Sequence, residues 1–488
     1  MLSMNRRGFL AISTGLCALP LVSRHVFAGP AAMTLDIVSR TIEVKGRAAK
    51  VWGLTNANGQ NGLVLEPGQR FAVDLTNRTD IETLIHWHGQ IPPNEQDGVP
   101  NMPRAMLKPG EMRSYDYAAR PGTHWMHAHI PDQEVGLLAA PLIVRSAQDL
   151  TADRQDVTMF LHDFSFRSPA EVLSIITSGA SAGGMPGMTM PGSGMDGMDM
   201  SGSDMSGMTM SGTGGMAMDL NDFDFDAYLV NDRTLDDPDV VQVDKGGLVR
   251  VRIVNAAAAT VFWIDTGALD AVIVAVDGED VKPFKGHRFG IAMGQRMDIE
   301  LTVPLDGGAF PILALREGTT DRTGLILATA GAEIAKIGGT SDTAALAFGA
   351  DTVQESSLRA TVPVADRPTA RQVTLMLAGS MSPYVWTING QTLATHIPVE
   401  AKTGERVEIT FHNMSMMSHP MHLHGHKFQV VEFGGQRFAG ALRDTVLVPP
   451  MAAVTVALDA GEAASWMLHC HHMAHLATGM MTTLAVTA

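Results

Sequence analysis

Four His-x-His pairs carry the chemistry of this 488-residue chain: His86/His88, His127/His129, His422/His424 and His469/His471. Residues i and i+2 of a β-strand share a face, so each pair presents two imidazoles side by side. One such pair is unremarkable, but four, spaced alike in two parts of the chain, describe a metal centre. Eight imidazoles suit three ions held by two, three and three ligands with positions left open, and neutral imidazole favours copper, zinc, iron or nickel. Cys470 lies between His469 and His471 and therefore projects from the opposite face of that strand. With His419 and His475 it would make the trigonal two-histidine, one-cysteine set of a blue copper site, with Met480 as a weak axial ligand. Its thiolate must be deprotonated to bind.

An internal repeat positions these residues. Gly68, Gly246 and Gly404 each open a stretch of alternating apolar residues that closes nine residues later, at Asn77, Asn255 and Asn413. Each is predicted to be a turn, a period-two strand and a second turn. Nine residues beyond Asn77 and Asn413 stand His86 and His422, whereas Ile264 occupies that place in the middle unit. The outer units also end alike, with Trp125 before His127 and Trp466 before His469. Short strands and frequent Gly/Pro turns predict an all-β protein of Greek-key β-sandwich domains. The expected divisions are a leader over 1–28 and domains over 29–150, 151–345 and 346–488, with ligands in the first and third domains only.

The strings HWHG (86–89), WMHAH (125–129), HPMHLHG (419–425) and HCHHMAHLATGM (469–480) closely resemble the four copper motifs of three-domain multicopper oxidases. That family includes laccases and bacterial copper-tolerance oxidases. The resemblance implies three cupredoxin-like domains and four copper ions, one type 1, one type 2 and two type 3. Type 1 copper would take His419, Cys470, His475 and Met480, and type 2 copper His86 and His422. One type 3 copper would take His88, His127 and His471, the other His129, His424 and His469. One residue of backbone then joins an electron entry site to a cluster that reduces dioxygen to water. The middle domain would serve as spacer and wall. Asp97 occupies a place where the family often has an acid near type 2 copper, so it is expected to relay protons. Some relatives carry a second acid directly after the last type 1 histidine, but here that residue is Leu476. Trp125 and Trp466 are expected to pack in cores, and His124, His426 and His472 to bind no metal.

Residues 181–219 are of a different composition. Met185, Met188, Met190, Met195, Met198, Met200, Met205, Met208, Met210, Met216 and Met218 are scattered among Gly, Ser, Thr and Asp, with no aliphatic or aromatic core former. Such a segment cannot bury enough apolar surface to order itself, and is expected to be a mobile loop of the middle domain. Soft thioether sulfur selects Cu(I), so the loop, with Met416 and Met417 beside His419, is expected to collect cuprous ions. The substrate is thus expected to be Cu(I). The alternatives are a laccase acting on small phenolic or aromatic amine reductants, and a non-catalytic copper store.

The net charge of −16 excludes phosphate backbones and anionic lipids as partners. Asn5-Arg6-Arg7-Gly8-Phe9-Leu10 precedes an apolar run and a small residue, Ala28, suited to cleavage. This reads as a twin-arginine signal, with the export machinery as partner and the periplasm as destination. The run is too short for a membrane anchor. Cys17 would leave with the leader, so the mature chain forms no internal disulfide. A monomer is expected.

Overall fold

The computed structural model describes residues 32–178, 220–348 and 353–488. The expected leader and methionine segment lie outside them. The described strands form six sheets, which pair into three β-sandwiches along the chain. In the first, Arg47–Asn56, Met33–Val44, Arg70–Asn77 and Met112–Ala118 form one sheet. Leu63–Leu65, Ala139–Val144, Gly122–Ala128 and Ile85–His88 form the other. The second sandwich uses strands between Gln155 and Ala328, the third strands between Arg371 and Thr487. No helix of the described residues is long and apolar enough to cross a membrane.

The sequence repeat is a structural repeat. Arg70–Asn77, Leu248–Asn255 and Arg406–Asn413 each lie parallel to the first strand of their sandwich, with Asn77 opposite Ile37, Asn255 opposite Leu161 and Asn413 opposite Leu377. All three asparagines are fully buried. Each side-chain amide donates to carbonyls of the loop it begins: Asn77 to Ile81 O at 2.7 Å, Asn255 to Thr260 O at 2.9 Å, Asn413 to Met417 O at 2.7 Å. Each side-chain oxygen accepts from the backbone two residues on, at Thr79, Ala257 and Ser415. Asparagine thus closes its own turn and replaces the ladder bonds that the loop lacks. It fixes where the next strand starts, and in the outer domains that strand carries histidine.

Alternate inward residues of both sheets fill the first core, among them Phe71, Val73 and Leu75. The apolar clusters of the second and third sandwiches are continuous: Phe262, Ile273 and Ile299 belong to the same cluster as Phe411, Val430 and Trp466. Apolar burial, at about 25 cal/mol per Å², therefore contributes to joining the two sandwiches as well as to folding each. The sequence reading placed no helix, and the longest among the described residues is Pro169–Thr177. Ser168 and Glu171 form a reciprocal capping box at its start, and Val172 and Ile176 are buried. It packs against Pro131–Val135 and Met473–Ala477, the short helices that follow two of the histidine motifs.

The middle domain also holds a carboxyl whose ionisation opposes folding. Glu317 is buried, and burial pushes its pKa up to about 7, although its oxygen accepts from the backbone N–H of Phe348 at 2.9 Å. A folded-state pKa above the unfolded value means the native state binds the proton more tightly. Its stabilising contribution is complete below about pH 4.3 and is lost as pH rises through about 7, on the order of 3 kcal/mol in all. Glu317→Gln is expected to flatten this part of the stability profile. Unfolding midpoints of both proteins between pH 4.5 and 8 test it, and parallel profiles would refute it.

Candidate metal centre

Two of the histidine strands meet their partners in register. His86 on Ile85–His88 lies opposite His127, and His422 on His419–Leu423 lies opposite His469. The outer domains therefore present matched pairs toward each other. His129, His424 and His471 stand just beyond the ends of their strands, where the chain turns and can aim a ring inward. Eight imidazoles converge in this way, all buried.

The rings sort into neighbouring groups. Nitrogens of His129, His424 and His469 all lie within 4.8 Å of one another. His88, His127 and His471 surround one point, with ring centroids 5.6, 5.2 and 5.2 Å apart. His86 and His422 lie 5.7 Å apart, and His86 also falls into nitrogen groups with His422 and His424 and with His88 and His127.

In several rings one nitrogen is tied outward and the other left bare. His86 Nδ1 donates to Asp97 O at 2.8 Å, His422 Nδ1 to Asp444 O at 2.9 Å, and His127 Nδ1 lies 3.0 Å from a Glu134 carboxylate oxygen. Their Nε2 atoms are buried without a partner. His88 is reversed: Nε2 reaches Asp444 Oδ1 at 3.1 Å, and Nδ1 is the orphan. His471 has both nitrogens without a partner. Unpaired buried polar atoms are costly, so this many lone pairs brought together fit the binding of cations. Burial lowers the proton affinity of His88, His127, His129, His422, His424, His469 and His471, which keeps their lone pairs available.

The second site lies across the strand, at Cys470. Its Sγ is 3.5 Å from His475 Nδ1 and 3.8 Å from His419 Nδ1, and those nitrogens are 3.2 Å apart. Met480 is fully buried, and its backbone carbonyl accepts from the Cys470 N–H at 3.0 Å. Burial pushes the thiol pKa well up, so only a bound cation would hold it as thiolate. Ser415 Oγ meets His419 Nε2 at 2.8 Å, and Trp386 lies over His475 with centroids 4.0 Å apart. Sulfur and two imidazoles fit copper in its softer states.

Asp97 is buried between the clusters. Its Oδ2 accepts from His424 Nδ1 at 2.8 Å, while its Oδ1 has no hydrogen-bond partner. Its position therefore orients two imidazoles, His86 through the carbonyl and His424 through the carboxylate. Met416 is about half exposed, but Met417 packs in the core of the third domain. The Asn413 amide holds the Met417 carbonyl at 2.7 Å in this turn, so of the two methionines Met416 is the one presented at the surface. Exposed Met414 and Met451 accompany Met416 instead, on segments tied by the bond from Met451 N to Ser415 O at 3.2 Å.

His124 and His426 are tied to backbone groups, at Pro121 O and at His424 O and Gly461 N. His472 stacks on His475 at 3.9 Å and lies 3.4 Å from Asp222. Trp125 stacks on His127 with centroids 4.2 Å apart, so it packs against a ligand as well as in the core.

Four acids or bases around the ligands were missed by the sequence reading: Asp444, Glu134, Asp222 and Arg296. Glu134 also lies 3.7 Å from His471 Nδ1. Asp222 is buried 3.7 Å from His475 Nε2 and bonds the Tyr384 hydroxyl. None stands in a motif of fixed spacing, and apart from the Glu134–His127 contact, seven residues apart, the contacts join distant parts of the sequence.

Comparisons with known proteins give the family and the fold. Family models described as multicopper oxidase match residues 36–149, 201–335 and 366–488. The chain is 29% identical to the multicopper oxidase MmcO of Mycobacterium tuberculosis, over 98% of this chain and 96% of that one. It is 24% identical to copper resistance protein A of Escherichia coli, over the full length of both. Among solved structures it superposes on Fet3p, a multicopper oxidase that functions in iron import, with a TM-score of 0.72 at 17% identity, covering 93% of this chain and 90% of that one. The laccase of Botrytis aclada gives a TM-score of 0.72 at 20% identity, covering 93% and 87%.

Proposed function

This chain belongs to the multicopper oxidase family, and on that premise we propose that it is a cuprous oxidase, taking electrons from Cu(I) and passing them to dioxygen. The observation that carries the oxidase half is the pair of adjoining donor sets, Cys470 with His419 and His475 on one side of a strand, His469 and His471 on the other. Four bound coppers supply the one-electron steps and the four-electron store that reduction of dioxygen to water requires. Cys470, His419, His475 and Met480 hold one ion where electrons enter. His86 with His422, His88 with His127 and His471, and His129 with His424 and His469 hold the other three. Asp97 keeps His424 in its tautomer, and its Oδ1 is the atom at which a proton would wait near the cluster. Glu134 supplies a carboxylate to His127 and His471, so the second acid absent at Leu476 has a counterpart in the first domain.

Cu(I) as substrate is supported by the eleven methionines of residues 181–219, by Met416 with Met414 and Met451 exposed near the Ser415–His419 bond, and by similarity to copper resistance protein A. We read the enzyme as a periplasmic monomer exported by the twin-arginine route, divided into the domains expected from sequence. Similarity to laccases such as Laccase-1 of Botryotinia fuckeliana, 22% identical, favours phenols as the second reading.

Oxygen uptake by the copper-loaded protein decides between them, using Cu(I) or a phenol as reductant, for the intact chain and one lacking 181–219. A cuprous oxidase loses Cu(I) turnover by about tenfold or more on deletion, the scale of a lost binding contribution of 1.4 kcal/mol or above, and keeps phenol turnover. Strong phenol turnover, with Cu(I) turnover indifferent to the deletion, overturns the reading.

A further inference from the structure

The middle domain provides no imidazole to the cluster, and a spacer would need only bulk there. Its turn at 292–296 does more. Gly294 has φ +80°, and a Cβ placed on it would lie 2.7 Å from His471 Cδ2, so this backbone lies directly against a ligand ring. Gln295 donates from Nε2 to Thr445 O at 3.1 Å. Arg296, fully buried, donates to Asp444 Oδ1 at 2.6 Å and Oδ2 at 2.5 Å. The remaining donors of the guanidinium reach Thr123 O of the first domain at 3.2 Å and Gly294 O at 3.1 Å.

Asp444 in turn meets the ligands. Its Oδ1 faces His88 Nε2 at 3.1 Å, and its carbonyl accepts from His422 Nδ1 at 2.9 Å. One planar fork therefore spans all three domains, with a first-domain ligand and a third-domain ligand hanging on the same carboxylate residue. The glycine of HWHG fits this arrangement: a side chain at Gly89, which has φ +89°, would overlap the Arg296 guanidinium.

We infer that the Gly294–Arg296 turn is a positioning element for the trinuclear site, with Arg296 setting the orientation of His88 through the Asp444 carboxylate and Gly294 seating His471. The inference rests on the reading of those histidines as copper ligands. Arg296 touches no reacting atom; its role is exerted through Asp444. Lysine would retain the charge, but a point ammonium cannot grip both carboxylate oxygens in one plane while also reaching Thr123. The ring of His88 would then lose its fixed angle, and displaced partners of ligating histidines lower metal affinity by roughly 10–100-fold.

The test compares intact copper-loaded protein with Arg296→Lys, Gly294→Ala and Arg252→Lys. Arg252 is a control: it is buried, pairs with Asp156 and Asp298, bonds Thr123 Oγ1, and reaches no candidate ligand. Bound copper per chain, the blue absorption and the paramagnetic signal of type 2 copper are read together, with unfolding midpoints alongside. Arg296→Lys and Gly294→Ala are expected to keep the blue absorption, to shift or lose the type 2 signal, and to need about tenfold more free copper to fill the cluster. Arg252→Lys is expected to lower the midpoint while leaving the type 2 signal as in the parent. Should Arg296→Lys not fold, Gly294→Ala carries the same ratio of type 2 signal to blue absorption. If both variants show the parental ratio, or if Arg252→Lys alters it equally, the turn is merely structural and the inference is overturned. A parent that binds no type 2 or type 3 copper overturns the ligand reading itself, which separates the two failures.

Discussion

Cys470→Ser is expected to abolish the blue absorption and to lower turnover with every reductant by roughly three orders of magnitude, the scale on which interdependent groups fail when one is lost. The thiol is buried, with two imidazole nitrogens 3.5 and 3.8 Å from sulfur and no other cysteine among the described residues. Burial raises its pKa, so the proton leaves only when a cation takes its place. A serine hydroxyl is a harder donor and far less acidic, so it does not become an anion in that surrounding. Serine differs little in volume, and the backbone bond from residue 470 to Met480 O does not involve the side chain. The fold and the eight imidazoles across the strand should persist. The checks are the visible spectrum, oxygen uptake and copper content of one preparation. Three coppers remaining with no blue band and no turnover is the expected result; blue colour with unchanged uptake would sink the assignment of Cys470.

Asp444→Ala has the second large effect, and it falls on stability as well as metal. The carboxylate is buried, yet Arg296 and several hydrogen bonds hold its pKa well below the ordinary range against the opposing effect of burial. Removing it leaves the fully buried Arg296 guanidinium without its anion, with only Asp277 nearby at 3.7 Å. Breaking a buried pair in this way costs about 3–5 kcal/mol. The carboxylate partner of His88 Nε2 is lost too, leaving only the Thr445 hydroxyl at 3.1 Å, with copper affinity expected to fall by about 10–100-fold. Asp444→Asn should be milder for the histidine, since an amide oxygen still accepts, but it loses the charge. Denaturant unfolding of the metal-free proteins measures the first effect and copper titration the second. An alanine variant with the parental midpoint and full copper content would show that the pair does nothing of the kind.

The copper motifs were legible because metal ligation constrains residue type and local spacing together. His-x-His follows from the two-residue period of a strand, and Cys470 from the alternation of its faces. The Gly-to-Asn repeat was legible for a similar reason: an asparagine that closes its own turn acts within five residues. The all-β, three-domain fold followed from this repeat and from the resemblance that the motifs carry. The Pro169–Thr177 helix was not seen, although Ser168 and Glu171 spell a capping box, because nine residues next to a low-complexity stretch give little periodicity. The burial of Met417 beside the exposed Met416 was not legible, because nearness to His419 in sequence says nothing about which way a side chain points after the Asn413 turn.

By itself, then, the sequence determined the four His-x-His pairs, the setting of Cys470 among histidines and the Gly-to-Asn repeat whose middle copy lacks histidine, all properties set by local backbone geometry. Only the tertiary structure decided what surrounds those ligands. Asp444 reaches His88 across 356 residues, Asp97 reaches His424 across 327, and Arg296 reaches Asp444 across 148. No periodicity records such pairs. They exist because three sandwiches pack at one point, and a buried charge there must find its counter-charge wherever the fold brings one.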